Sequence, residues 1–221
     1  MTSSPYRPTE GVLFTDQYQL TMAQLYFRRG LHERPAQFDY YFRRYPDYGR
    51  HQAGYAVLAG LDPLLEWMEE VRFTDADLEI LRSQTNARGM RRFDDAFLGW
   101  LASNGTFDSV SVQAVREGRV VHANAPMAVV RGPLAVVQIL ETAFLNHLNY
   151  PTLIATKASR IHEAAGGRPA LELGMRRGPA FGANAGGRAA LVGGADFTSN
   201  VAVSHEMGVD PKGCLLYTSP S

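Results

Sequence analysis

The last third of the chain constrains the fold most, because it alternates short apolar runs with small-residue helical ones. PALEL (169–173) leads into MRRGP, then AFGANAGGRAALV, then GADF (194–197), TSN, a short helical stretch and GVD (208–210). The order is strand, loop, helix, strand, loop, helix, strand. Repeated βα units at this spacing predict parallel strands with helices outside, in a barrel or an open sheet. Ligands in such folds bind beyond the carboxyl ends of the strands. The candidate site is therefore the loop after PALEL, with Met175, Arg176 and Arg177, and the loop after GADF, with Asp196, Thr198, Ser199 and Asn200. Adjacent arginines after a buried strand point in different directions, so one is expected to face the strand-end pocket and pair with carboxylate or phosphate there. The alternative is an inter-helix salt bridge plus a solvated arginine.

The part before it reads as α+β. In FTDQYQLTMAQLYF (14–27), Asp16 is expected to cap a helix with Gln19 reaching back, and Tyr18, Met22, Leu25 and Tyr26 share one stripe, which predicts that Tyr18 begins a buried face. A strand is expected in AQFDYYFRRYP, ending on Arg43 and Arg44 before Pro46. Helices follow in LDPLLEWMEEV and in DADLEILR, the second capped by Thr74 with Asp77 closing the box and Phe73 and Leu78 as its staple, and another covers about 95–102. Between Val110 and Val130 the runs VSVQAV, RVVHA and MAVV predict one small antiparallel sheet. Pro133 opens a helix through Leu148, and a second helix is expected over about 152–165, closed by Gly166-Gly167.

Composition narrows the function classes. The 221 residues are 45% hydrophobic and 20% charged, with a formal net charge of zero and a pI near 7.0, so no global positive field attracts nucleic acid or an anionic membrane. Any anion must be held locally. Lys157 and Lys212 are the only lysines, and Cys214 is the only cysteine, which excludes an internal disulfide and fits a reducing, cytoplasmic compartment. No apolar run approaches the ~18 residues of a membrane span. The six histidines show no HxH or HExxH spacing, and no GxSxG or GxGxxG is present, so no metal site, nucleophile elbow or dinucleotide loop is read. Gly182, Gly186 and Gly187 are expected to serve close packing of a helix on a sheet. The residues alone stop at an anion-binding α/β protein.

A resemblance carries further. TDQYQLTMAQLYF, FDYYFRRYP, GYAVLAGLDPLLEWM, RFTDADLEIL, the run from EGRVVHANAPMAVV to LIATKASRI, LELGMRR and GGADFTSNVAV resemble nicotinate phosphoribosyltransferase in that family's own order, over about residues 11–213. The resemblance implies a type II phosphoribosyltransferase: an α+β N-terminal domain (1–150) with an antiparallel sheet, and the first part of an irregular α/β barrel (151–213), incomplete here. It implies NAD salvage from nicotinate and 5-phosphoribosyl 1-diphosphate, with ATP and Mg2+ as co-substrate and ion, coupling through a phosphohistidine, and no tightly bound cofactor. It also implies a cytoplasmic homodimer with shared sites. On the same ground Tyr18 is expected to stack on the pyridine ring in the neighbouring subunit's site, with a core tyrosine as the alternative. Arg176 would face the pocket with Arg177 beside it, between apolar walls Met175 and Leu173. Arg43 and Arg44 would hold phosphates across the interface, and Asp196 and Thr198–Asn200 would form the next strand-end loop.

The resemblance fails after Gly213. Family members continue into Gly-Thr-x-x-His-Ser, and here Cys214 takes the threonine position and Tyr217 the histidine position. A phenol with a pKa near 10 is no substitute for the nitrogen nucleophile. Residues 214–221 are accordingly expected to be a non-native tail, the catalytic histidine to lie beyond it, and the chain to be an inactive piece of the enzyme. The competing readings are a nicotinamide-using or other type II relative, and a non-catalytic fragment that binds ligand or dimerises.

Overall fold

The computed structural model describes residues 11–49 and 52–213. The chain forms two compact units, each assembled from separated segments. One gathers the chain up to Tyr40, Asp62–Ala114 and Ala128–Asn146; the other gathers Tyr41–Leu61, Val115–Met127 and the chain from His147 onward.

The first unit holds a three-stranded antiparallel sheet in the order β1 (Pro35–Tyr40), β5 (Ala128–Pro133), β3 (Ser111–Ala114), with β2 (Ala56–Val57) and β4 (Val120–Val121) lying in the other unit. Phe38 and Val112 both pair with Val130, whose side chain is buried, while Arg131 one residue on faces out between Gln37 and Gln113. That period-two alternation is what one buried sheet face requires. Helices α1 (Gln17–Arg28), α2 (Leu61–Glu70), α3 (Asp75–Ser83) and α4 (Asp95–Asn104) and the start of α5 (Leu134–Ala165) supply Leu20, Leu64, Leu81, Phe97, Leu98, Leu101 and Leu140 to the core. Each such burial contributes about 1.5–3 kcal/mol. The expected capping box on α3 is present: Thr74 Oγ1 accepts from Asp77 N, and Asp77 Oδ2 accepts from Thr74 N at 2.9 Å.

Several expectations fail, each for a tertiary reason. Asp16 precedes α1 but does not cap it, because its carboxylate accepts from Thr142 Oγ1 at 2.8 Å. Gln19 does not reach back either; it is fully buried and accepts from Gln138 Nε2. The buried face of α1 is Gln19, Leu20, Ala23 and Gln24, so the stripe of Tyr18 and Leu25 points outward, 50% and 51% exposed. The run RVVHA does not join the sheet of its neighbours. Its strand β4 pairs with β2, Ala56 opposite Val121, and β1 takes the vacant edge of β5.

The second unit is built on β2 and the latter part of α5. Two helices were expected around Pro151, yet α5 is one helix of 32 residues with Pro151 inside it. Proline at that position cannot donate to the carbonyl of His147. The helix is tied to the adjacent strand there: Thr152 Oγ1 accepts from Ala59 N at 3.3 Å, Thr156 Oγ1 accepts from Val57 N at 2.9 Å, and Gly60 packs directly on the His147 carbonyl. A Cβ on Gly60 would stand 1.9 Å from His147 O, and its φ of +98° is the left-handed region.

Strands β6 (Leu171–Glu172) and β7 (Phe197–Thr198) are parallel, as the βα alternation predicts, and α6 (Ala180–Val192) crosses between them. The expected strand at GVD is not formed; that segment follows α7 (Val201–Glu206) and returns beside β7 through one bond, Lys212 N to Thr198 O at 3.0 Å. Among the described residues the architecture is thus mixed α/β with two parallel strands and no closed barrel. Within a two-stranded sheet β6 is not buried as expected: Leu171 is 47% and Leu173 54% exposed.

Two consequences can be measured. Gly60→Ala should destabilise the protein by upward of about 2 kcal/mol in urea unfolding, combining left-handed strain with a backbone clash; an unchanged midpoint would mean that α5 yields freely at Pro151. Burial pushes the Tyr40 phenol up to about 12 from 10.0, with Phe144 edge-on at 5.7 Å. A raised folded-state pKa gives stability that is full below pH 10 and lost as pH rises towards 12, a loss of about 2–3 kcal/mol. Tyr40→Phe should flatten that alkaline decline.

Candidate functional site

The last residues of the parallel strands lie side by side, Glu172 opposite Thr198. The ladder is fixed upstream by Asp196, whose N–H donates to Ala170 O while its carboxylate accepts from Ala170 N at 2.8 Å. His162 Nδ1 stands 4.0 Å from the same carboxylate. Downstream, Ser199 N donates to Glu172 O at 3.0 Å.

Across the strand ends runs a hydrogen-bonded chain of side chains. Thr198 Oγ1 donates to Glu172 Oε2 at 2.6 Å and accepts from Asn200 N at 3.1 Å. Asn200 donates through Nδ2 to Asn184 Oδ1 on α6 at 2.7 Å, and its own Oδ1 caps α7 by accepting from Val203 N. Thr198 and Asn200 are buried, where an unpaired polar group is costly, and both are satisfied. Glu172 Oε1 also accepts from Gly174 N. The Cβ position of Gly174 is 2.7 Å from that oxygen, so a side chain there would require the Glu172 carboxylate to shift.

From Gly174 the chain turns into a 3₁₀ segment, Met175–Arg177, closed by Arg177 N to Gly174 O at 2.7 Å. Arg176 and Arg177 are therefore carried on a turn whose root is clamped by Glu172. Both are exposed and neither forms an ion pair among the described residues. The salt bridge of the alternative reading is not formed among the described residues. Of the two apolar walls, Leu173 is as open as noted above and Met175 is 48% exposed.

Behind the network, α6 is fixed by a near-buried pair. Arg188 Nη2 lies 2.8 Å and Nη1 3.0 Å from the two carboxylate oxygens of Glu117, with side-chain exposures of only 12% and 10%. Glu117 also accepts from Gly60 N and Leu61 N, at the start of α2. Of the α6 glycines expected to pack closely on a sheet, Gly186 makes its tight approach to helix α5 instead, its Cβ position 3.1 Å from Tyr150 Oη; that of Gly182 lies 3.3 Å from the Pro179 ring, and that of Gly187 faces Glu172 Oε2 at an ordinary 3.6 Å.

The strand ends thus bring together Thr198, Ser199 and Asn200 with the Arg176–Arg177 turn, while Asp196 anchors the strands from their other end. Arg43 and Arg44 lie exposed in the irregular segment after β1, without ion pairs among the described residues. Tyr18 belongs to the first unit, where its hydroxyl donates to Glu141 Oε1 at 3.3 Å; partial burial, reinforced by that carboxylate, pushes the phenol's pKa up. Tyr217 and Cys214 fall outside the described residues. Glu172 and Asn184 were not singled out in the sequence. The available signal was a charged residue in phase with Ala170 at a strand's end, and the lone amide in a Gly/Ala-rich helix.

Glu172→Ala should leave Gly174 N–H and the Thr198 hydroxyl without an acceptor, lowering stability by about 1–3 kcal/mol and speeding amide exchange at Gly174. Unchanged exchange there would show that the turn supports itself.

Comparison with known proteins assigns the family. Residues 13–149 match the profile described as the nicotinate phosphoribosyltransferase N-terminal domain. The Bacillus subtilis nicotinate phosphoribosyltransferase is 41% identical over 202 residues, covering 91% of this chain and 39% of the relative. The Caenorhabditis elegans nicotinate phosphoribosyltransferase is 37% identical over 209 residues, covering 93% and 35%. The crystal structure of human nicotinic acid phosphoribosyltransferase superposes with a TM-score of 0.79 at 36% identity, covering 91% of this chain and 39% of that one. The Pyrococcus furiosus nicotinate-nucleotide pyrophosphorylase shares the fold, with a TM-score of 0.70 at 22% identity over 98% of this chain and 46% of its own. The chain spans 35–39% of the length of the first two relatives. Its architecture is that of a type II phosphoribosyltransferase, and the chain belongs to the nicotinate phosphoribosyltransferase family.

Proposed function

We propose that these residues are the N-terminal portion of an enzyme that joins nicotinate to 5-phosphoribosyl 1-diphosphate, giving nicotinate mononucleotide and diphosphate for NAD biosynthesis. The family match over residues 13–149 carries this reading. The arginine turn at the strand ends supports it, because a carboxylate such as that of nicotinate pairs with a guanidinium carried there. Arg176 is the partner of the nicotinate carboxylate or of a ribose phosphate, and Arg177 flanks it. Thr198, Ser199 and Asn200 shape the loop, with Glu172 and Asn184 as their partners, and Asp196 sets its register. Arg43 and Arg44 contribute phosphate contacts.

Tyr18 stacks on the pyridine ring from a neighbouring subunit in a homodimer, for which a flat, outward-facing ring in the first helical turn is suited. In the same proposal the enzyme is cytoplasmic, ATP with Mg2+ drives the reaction through a phosphohistidine, and Tyr217 stands in that histidine's register. In sequence order this assigns residues 1–150 to the N-terminal domain and 151–213 to the first part of the barrel, although the segments Tyr41–Leu61 and Val115–Met127 group with the second compact unit. No helix among the described residues is long and apolar enough to cross a membrane.

The test is a chimera of residues 1–213 with the remainder of the Bacillus subtilis relative, assayed with radiolabelled nicotinate and nicotinamide. Nicotinate mononucleotide should form, and the amide should react poorly. Arg176→Ala should raise a substrate KM by the equivalent of about 2–5 kcal/mol, the cost of removing one member of a desolvated charge pair. Preference for the amide would favour the nicotinamide-using relative, and unchanged Michaelis constants for both substrates would remove Arg176 from the site. Mixing Tyr18→Ala and Arg176→Ala chimeras should restore activity in heterodimers if the site is shared. No recovery in verified heterodimers would return Tyr18 to a role within its own subunit.

A further inference from the structure

Away from the strand ends, two cations of α5 converge on one tyrosine in the second unit. Lys157 Nζ stands 4.5 Å from the centroid of the Tyr48 ring and the Arg160 guanidinium carbon 5.2 Å. Three residues apart, they share a helix face. Neither forms an ion pair among the described residues. That is unlike Arg28 with Asp94, Arg91 with Asp95 or Arg188 with Glu117, each of which has a carboxylate within 2.9 Å. Like charges gathered without a counter-charge repel, and a ring face offsets this only in part.

The Tyr48 hydroxyl supplies a second, independent observation. Its oxygen is buried and has no hydrogen-bond partner among the described residues, whereas a tyrosine hydroxyl so placed ordinarily finds one. Burial pushes the phenol's pKa up against the opposing pull of Arg160, so at neutral pH the group is a proton donor. The neighbouring hydroxyls are committed to each other, Tyr55 Oη to Ser159 Oγ at 3.0 Å.

We propose that Lys157, Arg160 and the Tyr48 hydroxyl form a binding site for a phosphate dianion. The chemistry favours this ligand over a carboxylate. Two positive charges on one helix face match a double negative charge, a guanidinium fork and an ammonium suit the oxygens of a tetrahedral anion, and the phenol can donate to one more. The site uses none of the residues assigned to nicotinate or to phosphoribosyl transfer above, and it stands whether or not that reading does.

The experiment is calorimetric titration of the 221-residue chain at constant ionic strength with inorganic phosphate, inorganic diphosphate and ATP in parallel. Phosphate should bind saturably, and the paired change Lys157→Ala with Arg160→Ala should weaken it by at least about tenfold, the equivalent of 1.4 kcal/mol. Tyr48→Phe, which keeps the ring beneath both cations, should weaken it by a smaller factor. Lys212→Ala, which removes the cation over Phe197, should leave it unchanged. ATP binding more tightly than both inorganic anions would identify a nucleotide phosphate as the source, and equal or tighter diphosphate a free anion. If circular dichroism shows the paired variant unfolded, Lys157→Gln alone serves, since it keeps most of the stem and removes the charge. No saturable phosphate binding, or the same isotherm in the charge-deleted variants, would overturn the proposal.

Discussion

The second unit depends on how the buried segment from Val57 to Leu61 satisfies its backbone. Five successive N–H groups are accounted for. Val57 donates to Thr156 Oγ1, Leu58 to Arg119 O, Ala59 to Thr152 Oγ1, and Gly60 and Leu61 to the Glu117 carboxylate. One edge of the strand is therefore closed by β4 and its approach, and the other by hydroxyls projecting from α5. Buried donors leave little choice, since each unpaired one costs about as much as a lost hydrogen bond. The same constraint explains why α5 continues through Pro151: the threonines that grip the strand lie immediately after it, and Gly60 fills the place where the helix ladder is interrupted.

Glu117 extends that constraint to the site. Its carboxylate ends the buried segment on one side and holds Arg188 of α6 on the other. One turn before Arg188, Asn184 meets Asn200; one residue before it, Gly187 faces Glu172 and Thr198. Removing one member of a near-buried pair can cost about 3–5 kcal/mol when the other charge is left unpaired; here Arg188 keeps Glu206 at 3.4 Å and Glu117 keeps the Gly60 and Leu61 N–H groups, which lessens the loss. The strand-end loops are thus positioned from behind by an ion pair that itself touches no proposed substrate. The arginines at the front stay exposed, with no carboxylate paired to them among the described residues, the state in which a cation is available to an arriving anion.

What the sequence made legible was mostly local. The capping box of Thr74 and Asp77 lies within four residues and needs nothing else, so it could be read outright. The parallel pairing of β6 and β7 followed from the spacing of strands and helix, and the family from long motifs in order. The failures came where a distant partner decided the outcome. Asp16 would have capped α1 had Thr142 not taken its carboxylate. RVVHA has the pattern of its neighbours in the sheet, but β4 is drawn to β2, more than sixty residues earlier in the chain. Tyr18 sits in an apolar stripe that solvates because Gln19 and Gln24, polar by type, occupy the buried face. Glu172 and Asn184 escaped notice because their significance lies in each other's company across α6 and two strands. Sequence spacing alone does not show that.

Amide hydrogen exchange in an Arg188→Met variant tests most directly the claim that the strand-end site is held from behind by Glu117. The account predicts faster exchange at Gly174 N–H and at Asn200 N–H, which donates to Thr198 Oγ1, with exchange at the Thr74–Asp77 capping box unaffected. Unchanged exchange at Gly174 and Asn200, in a variant whose α6 remains helical, would show that the strand ends position themselves and would contradict it.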